Sequence, residues 1–236
     1  MQLQNLIEGE QKPMSTKAII PCKVYGSKGL PGKFTMHLCG RELWEWVTIA
    51  AIDCKQIDEV IMTGNAKEKK HFYPKVKLMY PSVKWITRPA SLQKNGVELL
   101  DVMQHALKKI GKKGDVFVQL QATKPLTTAR LLDEILSSFF AKGLVYGKKF
   151  RDSLFTIQKI NTAINWEYKA SRQEGQENFK SCAVAKVWDY DTLKNAKKGT
   201  WGFGKNHYDY VIDQTHIEVD DIIDFRMAEA LMRAGM

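Results

Sequence analysis

Over the first 140 residues, short uninterrupted apolar runs alternate with stretches whose apolar residues recur at helical spacing. The runs fall at 17–22, 59–63, 83–87 and 115–120. Too short for helices and bounded by glycine, proline or charge, they read as strands covered on both faces. The periodic stretches at 41–53, 97–110 and 128–141 predict helices between them. Strand and helix in alternation predict βαβ units and a largely parallel sheet. Ligands of such sheets bind beyond the carboxyl ends of the strands, which here are the loops after Cys22, Thr63, Thr87 and Leu120.

The pattern changes at about 148–186, where β-type alternation at 153–159 and 163–169 flanks a polar bend at 171–178. This segment reads as a β-rich flap inserted in a core made of 17–147 and 187–236, preceded by a mobile leader at 1–16. Core-like strands return at 208–212 and 215–219. A closing helix, capped by Asp220 or Asp221, then presents Ile222, Phe225, Met227, Ala230 and Leu231 as its apolar face.

Composition narrows the class. With 236 residues, 44% hydrophobic and 26% charged, the chain can bury a sizeable core, which excludes a disordered chain and a disulfide-stapled miniprotein. The 36 Lys and Arg exceed the 26 Asp and Glu by 10, so an anionic partner is expected: phosphates, a carboxylated sugar, nucleic acid or an acidic membrane. The lysines are spread along the chain without a nucleic-acid-binding motif, so no nucleic acid is expected. No run is long enough to span a membrane and no signal-peptide pattern opens the sequence, which predicts a cytoplasmic protein without membrane contact. Cys22, Cys39, Cys54 and Cys182 form no CxxC pair and read as reduced core thiols.

The most informative segment is 17–33, KAIIPCKVYGSKGLPGK. A buried strand runs into a loop where Gly26 and Gly29 let backbone amides approach an anion. Ser27 adds a donor there, and Lys23, Lys28 and Lys33 add charge. It is neither a Walker A loop nor a GxGxxG fingerprint, so on residues alone a phosphate cradle and a solvated turn both fit. Glu218 and Asp220, two apart on an expected strand, point to one face and can share a metal or simply end a solvated strand. Arg88 ends one strand and Gln121 follows another; a surface arginine and an amide satisfying loop backbone are the alternatives there. The five histidines form no cluster, His105 reads as structural, and KEKK at 67–70 reads as a solvated helix face.

Five segments in order resemble the acylneuraminate (CMP-sialic acid) cytidylyltransferases and their CMP-KDO synthetase relatives. AIIPCKVYGSKGLPGK at 18–33 is similar to AIIPAR..SKG.P.KN, TRPA at 87–90 to the segment containing RPAEL, and LQATKPLTT at 120–128 to LQPTSPLRT. Arg172 followed by Phe179 and Lys180 resembles an Arg preceding a Phe-Arg pair, and IEVDDIID at 217–224 with a helix carrying AEAL resembles IDIDTEEDL..AEAL. The resemblance implies a three-layer Rossmann-like nucleotide-diphospho-sugar transferase fold with a β-rich dimerisation flap. It implies coupling of CTP to a 2-keto sugar acid of the N-acylneuraminate type. Carried over, it gives Lys23, Ser27, Lys28 and Lys33 to the CTP phosphates, Arg88 to the ribose and cytosine side, and the backbone of Pro21 and Cys22 to the base. Gln121, Arg172 and Lys180 go to the sugar acid, the latter two from the flap of a neighbouring subunit in a homodimer. Glu218 and Asp220 go to Mg²⁺. The chain departs from the family pattern at Lys23 (Arg), Phe34 (Asn), Asn65 (Asp), the hydroxyl-poor 95–99 and Ser181, Cys182 and Ala183 in the flap. A CMP-KDO synthetase, to which LPGK at 30–33 is similar, and a degenerate non-catalytic relative are the alternatives.

Overall fold

The computed structural model of the chain describes residues 15–25, 29–94, 96–141, 152–160, 178–200, 202–212 and 216–235, with backbone alone at 159–160 and 178–180. In chain order the elements begin with β1 (Thr16–Pro21), a two-strand ribbon of β2 (His37–Leu38) and β3 (Arg41–Glu42), α1 (Leu43–Asp53) and β4 (Glu59–Gly64). Then come α2 (Ala66–His71), α3 (Tyr73–Met79), β5 (Lys84–Thr87), α4 (Leu99–Ile110), β6 (Val116–Leu120) and α5 (Ala129–Ala141). The chain closes with β7 (Ser153–Ile160), β8 (Asn178–Asp189), α6 (Tyr190–Asn195), β9 (His207–Ile212) and α7 (Ile222–Arg233).

Seven strands form one sheet in the order β5-β4-β1-β6-β8-β7-β9. Only the ladders on either side of β8 are antiparallel, so the sheet is mostly parallel, as the alternating pattern predicts. Its inner strands are apolar on both faces because both are covered. Ala18, Ile20, Val60, Met62, Val116, Val118 and Leu120 face α1 and α5; Ile19, Ile61 and Phe117 face α4 and α6. At the amino ends of the strands Lys17, only 3% exposed, places its ammonium 2.6 Å from Asp115 Oδ2 and 3.5 Å from Glu59 Oε1.

Several expected boundaries shift for local reasons. Arg41 and Glu42 belong to β3 rather than to the helix, because Glu42 is extended and Glu45 turns back to accept its backbone N–H. Residues 216–220 join no ladder; Val219 N instead donates to Thr123 O, tying this segment to the turn after β6. On α7 the buried residues are Phe225 and Ala228, while Ile222 and Met227 stay exposed and so does Ala230. The described part of the 148–186 segment lies within the central sheet: Ser153 to Phe155 pair with Lys186 to Trp188, and Ile157 to Ile160 pair with Asn178 to Ser181 in the same sheet. Between these two ladders the register shifts at a bulge where Ala183 adopts a left-handed φ of 48°. Buried Thr156 bridges the break, its hydroxyl donating to Ala185 O and accepting from Ala185 N.

Cys22, Cys54 and Cys182 are buried free thiols and Cys39 is half-buried. No helix among the described residues is long and apolar enough to cross a membrane.

Candidate active site

Proline ends β1 because it has no N–H to continue a ladder. The next residue turns inward: Cys22 is buried, its N–H donates to Thr63 O at 2.7 Å, and its carbonyl accepts from Arg88 Nη2. Arg88 reaches it from the end of β5, where its own N–H is held by Gly64 O at 2.7 Å. The structure thus joins two predicted site residues, Cys22 and Arg88. Both the N–H and the carbonyl of Cys22 are engaged by protein.

Under this pair lies Glu68, which KEKK at 67–70 hides. Its lysines are solvated, as expected, but Glu68 is fully buried. Its carboxylate accepts Val24 N at 2.9 Å and Asn65 N at 2.6 Å, and lies 3.9 Å from Arg88 Nη2. Asn65 in turn accepts Glu68 N, closing a capping box at the start of α2. The Asn-x-x-Glu spacing is the signal the sequence offers for it. Gly64 completes the packing, since a Cβ there would fall 2.6 Å from both Glu68 Oε2 and the Trp85 ring. One buried carboxylate therefore fixes the first residues of the loop after β1 against the end of β5.

Lys23 is exposed at the mouth of this loop, while Ser27 and Lys28, both predicted phosphate contacts, lie outside the described residues. The loop's far arm is pinned across the molecule. At Gly29 a Cβ would sit 2.4 Å from the Asp220 carbonyl oxygen, so only glycine allows this approach. Four residues on, Lys33 Nζ donates to Val219 O at 2.6 Å and to Asp220 Oδ1 at 2.7 Å. Phe34, at the family's Asn position, is instead a core residue stacked edge-on to Phe72 at 5.3 Å.

The turn after β6 supplies the other wall. Gln121 is half-buried, with Thr123 Oγ1 3.5 Å from its Oε1. Lys124, 4% exposed, extends its ammonium to within 3.3 Å of Glu218 Oε2. Sequence reading passed over Lys124; a single lysine after a strand carries no spacing signal. Beside it His216 is buried with both ring nitrogens unpartnered, and burial, then the Lys124 charge, lowers its pKa to about 4. Each expected metal carboxylate thus faces an ammonium, Glu218 that of Lys124 and Asp220 that of Lys33. Among the described residues no group of three His, Cys, Asp or Glu side chains is placed to hold a metal. Glu218 and Asp220 still offer the hard oxygen donors that Mg²⁺ takes beside phosphates, and the Asp220 side chain is 70% exposed.

Arg172 lies outside the described residues, as does the Lys180 side chain, whose backbone pairs with Gln158 in the β7–β8 ladder. A surface depression of about 720 Å³ at Asp53, Arg130 and Asp133 contains none of the predicted residues. A smaller one of about 430 Å³ borders the loop at Val24, Tyr25 and Gly32.

Against this geometry, the sequence profile of the cytidylyltransferase family matches residues 18–236. Among solved structures the chain is similar to a CMP:2-keto-3-deoxy-manno-octonic acid synthetase complexed with CTP, at 16% identity and a TM-score of 0.70, covering 94% of this chain and 100% of that one. It is also similar to 4-diphosphocytidyl-2C-methyl-D-erythritol synthase from Anaerococcus prevotii, at 13% identity and a TM-score of 0.63, covering 97% and 99%. A search of curated proteins finds no match.

Proposed function

The chain belongs to the cytidylyltransferase family, and from that premise we propose that it couples CTP to a 2-keto sugar acid of the N-acylneuraminate type, giving a CMP-sugar and pyrophosphate. The observation that carries this reading is the closure of the β1 loop onto the 216–220 segment. Lys33 and Gly29 meet Asp220, and Lys124 meets Glu218, so lysines and carboxylates that are distant in sequence come together near the carboxyl ends of β1 and β6.

In this reading the anomeric hydroxyl oxygen forms a bond to the α-phosphorus, the bond from that phosphorus to the bridging oxygen breaks, and pyrophosphate departs with the electron pair. The hydroxyl proton passes to solvent or to a carboxylate near Asp220. Lys23, Ser27, Lys28 and Lys33 hold the phosphates and neutralise charge as it moves to the leaving group. Lys33 has Asp220 as its resting partner, so triphosphate binding exchanges one anion for another. Arg88 orients the ribose and cytosine side. The Cys22 carbonyl, already accepting from Arg88, has a second lone pair for the cytosine amine, while Pro21 shapes the base edge. Gln121 orients the sugar acid, and Arg172, supported by Lys180, approaches it from the partner subunit of a homodimer. Glu218 and Asp220 would hold Mg²⁺, which when bound supplies charge neutralisation at the triphosphate.

The test is pyrophosphate release from CTP with N-acetylneuraminate, 2-keto-3-deoxy-manno-octonic acid and 2C-methylerythritol 4-phosphate as acceptors. Turnover with a nonulosonic acid, abolished by Asp220→Ala and by EDTA, supports the reading. Turnover with the octonic acid alone assigns the chain to the KDO branch. CTP binding without turnover on any acceptor marks a non-catalytic relative. Partial recovery of activity on mixing Arg172→Ala with Asp220→Ala subunits tests the shared site, and a monomer by light scattering overturns it.

A further inference from the structure

The positive charge of the chain is concentrated in one segment. Between Glu68 and Glu98 stand seven Lys and Arg and no carboxylate, so these 29 residues carry +7 of the net +10. They form the end of α2, all of α3, β5 at the edge of the sheet, and the loop towards α4. Carboxylates from elsewhere answer three of the seven: Glu42 meets Lys75 at 2.7 Å, Glu59 meets Lys84, and Glu68 lies by Arg88, whose side chain turns into the site. Lys69, Lys70, Lys77 and Lys94 are exposed and form no ion pair among the described residues.

The same surface carries the least sheltered apolar residue described. Helix α3 buries Val76, while Pro74, Lys75, Lys77, Leu78 and Met79 face solvent. Leu78 is 83% exposed, more than any other large apolar side chain among the described residues, and Met79 beside it is 42% exposed. Lys75 stands one helical turn from Met79, and Lys77 adjoins Leu78. An apolar tip set among lysines, with no carboxylate between them in sequence, is complementary in charge and polarity to an anionic lipid surface. Nucleic acid is read by arginine forks and stacking aromatics. The outward cations here are lysines, and the nearby aromatics Tyr73 and Trp85 pack on each other, ring centroids 5.2 Å apart. A second copy docked here about a two-fold axis would set lysine against lysine. The tip precedes the amino end of β5, whereas Arg88 lies at its carboxyl end, so a contact here leaves the candidate active site open.

We propose that this edge of the molecule is a peripheral membrane-docking surface, in which Leu78 and Met79 enter the boundary between headgroups and acyl chains of an anionic bilayer while Lys69, Lys70 and Lys77 bind lipid phosphates. Such a contact needs no spanning helix. It gives most of the chain's excess charge a partner other than the nucleotide, and it stands or falls apart from the cytidyl-transfer reading.

The experiment is co-sedimentation of the full chain with vesicles of phosphatidylglycerol and phosphatidylcholine, and with vesicles of phosphatidylcholine alone. Binding is expected to the first only, and to weaken as salt is raised. At about fivefold in affinity per lysine near an anionic surface, the triple variant Lys69→Glu, Lys70→Glu, Lys77→Glu lowers the partition coefficient by about a hundredfold or more. Leu78→Ser lowers it by about tenfold. The pair Lys108→Glu, Lys109→Glu, exposed at the end of α4 over the other sheet face, stays within about threefold of wild type, since distant charges are screened. All variants are expected to keep the wild-type melting temperature, because the replaced side chains are exposed. Slowed amide exchange at 73–84 on vesicles supports the proposal without any substitution. No binding to the anionic vesicles, an equal loss in the α4 pair, or slowed exchange confined elsewhere overturns it. Binding that Leu78→Ser leaves unchanged and duplex DNA competes away marks a nucleic-acid surface, and a dimer that Leu78→Ser dissociates in light scattering marks a second copy; either result overturns it as well.

Discussion

Replacing Glu68 by alanine removes a fully buried carboxylate that touches three parts of the candidate site. Two backbone amides lose a charged acceptor, Val24 N at 2.9 Å and Asn65 N at 2.6 Å. Hydrogen bonds to charged groups contribute about 1.5–3 kcal/mol each. Arg88, with its side chain 12% exposed, loses the anion 3.9 Å away and keeps only the Cys22 carbonyl among its described side-chain partners. Breaking a buried charge contact by removing one member typically costs about 3–5 kcal/mol, and the terms overlap, so that range stands for the whole change. In a chain of this size it corresponds to a melting temperature lower by about 10 °C. Urea unfolding followed by tryptophan fluorescence reads it, with Trp85 beside Gly64 as a local reporter. Glu68→Gln keeps the shape and one acceptor oxygen and is expected to lose about half as much. Lys69→Ala, on the solvated side of the same helix, should change stability by under about 0.5 kcal/mol. A Glu68→Ala loss below about 1 kcal/mol would refute the view that this carboxylate fixes the loop.

Acid should weaken the fold through His216. Its ring is neutral when folded, with a pKa near 4, and takes up a proton near pH 6.5 when unfolded, so stability is intact above pH 6.5 and falls as pH drops through that window. The loss reaches about 3 kcal/mol and should be absent in His216→Leu, as read from urea midpoints between pH 7 and 4; equal acid slopes would contradict it. Thiol labelling should follow burial. Burial, then the Asp133 carboxylate that accepts its S–H, pushes Cys54 to about 12, and burial, then Glu68, raises Cys22 as well. Since the thiolate is the nucleophile, iodoacetamide at pH 8 should mark half-buried Cys39 well before either, and fast labelling of Cys22 in folded protein would contradict the packing described.

The parallel half of the sheet was legible because β1, β4 and β6 are apolar on both faces, a pattern that needs helices on both sides. Helix α4 was legible because Leu100, Met103, Ala106 and Leu107 repeat at helical spacing, and they are buried together with Val102. Pairing was not legible. Local alternation marks β7 as a strand, while the strand expected at 163–169 lies outside the described residues and β8 was not singled out; the place of β7 and β8 between β6 and β9 depends on residues far along the chain. In α7 Phe225 is buried as expected, but Ile222, Met227 and Ala230 are exposed and Ala228 takes the inner position, because the helix packs against the β2–β3 ribbon and the 217–219 segment that the sequence pattern does not locate. In the site, Lys33 with Asp220 and Cys22 with Arg88 came together. Glu68 and Lys124 stayed hidden, each a single polar residue whose meaning comes from a partner across the fold.

The buried Lys17 cluster bears on how the strands find alignment. Parallel strands whose inner positions are mostly aliphatic tolerate a two-residue slip, since one aliphatic side chain replaces another on the same face. The ammonium at the foot of β1 does not tolerate it. Only the observed alignment, Lys17 beside Glu59 on one side and Phe117 on the other, brings it to Asp115 and Glu59 together. Any slipped form strands a dehydrated charge, at a cost of several kcal/mol. An apolar side chain there could hold the strands as firmly, yet the chain would lose the residue that lets it tell the native alignment from its near copies while the sheet assembles.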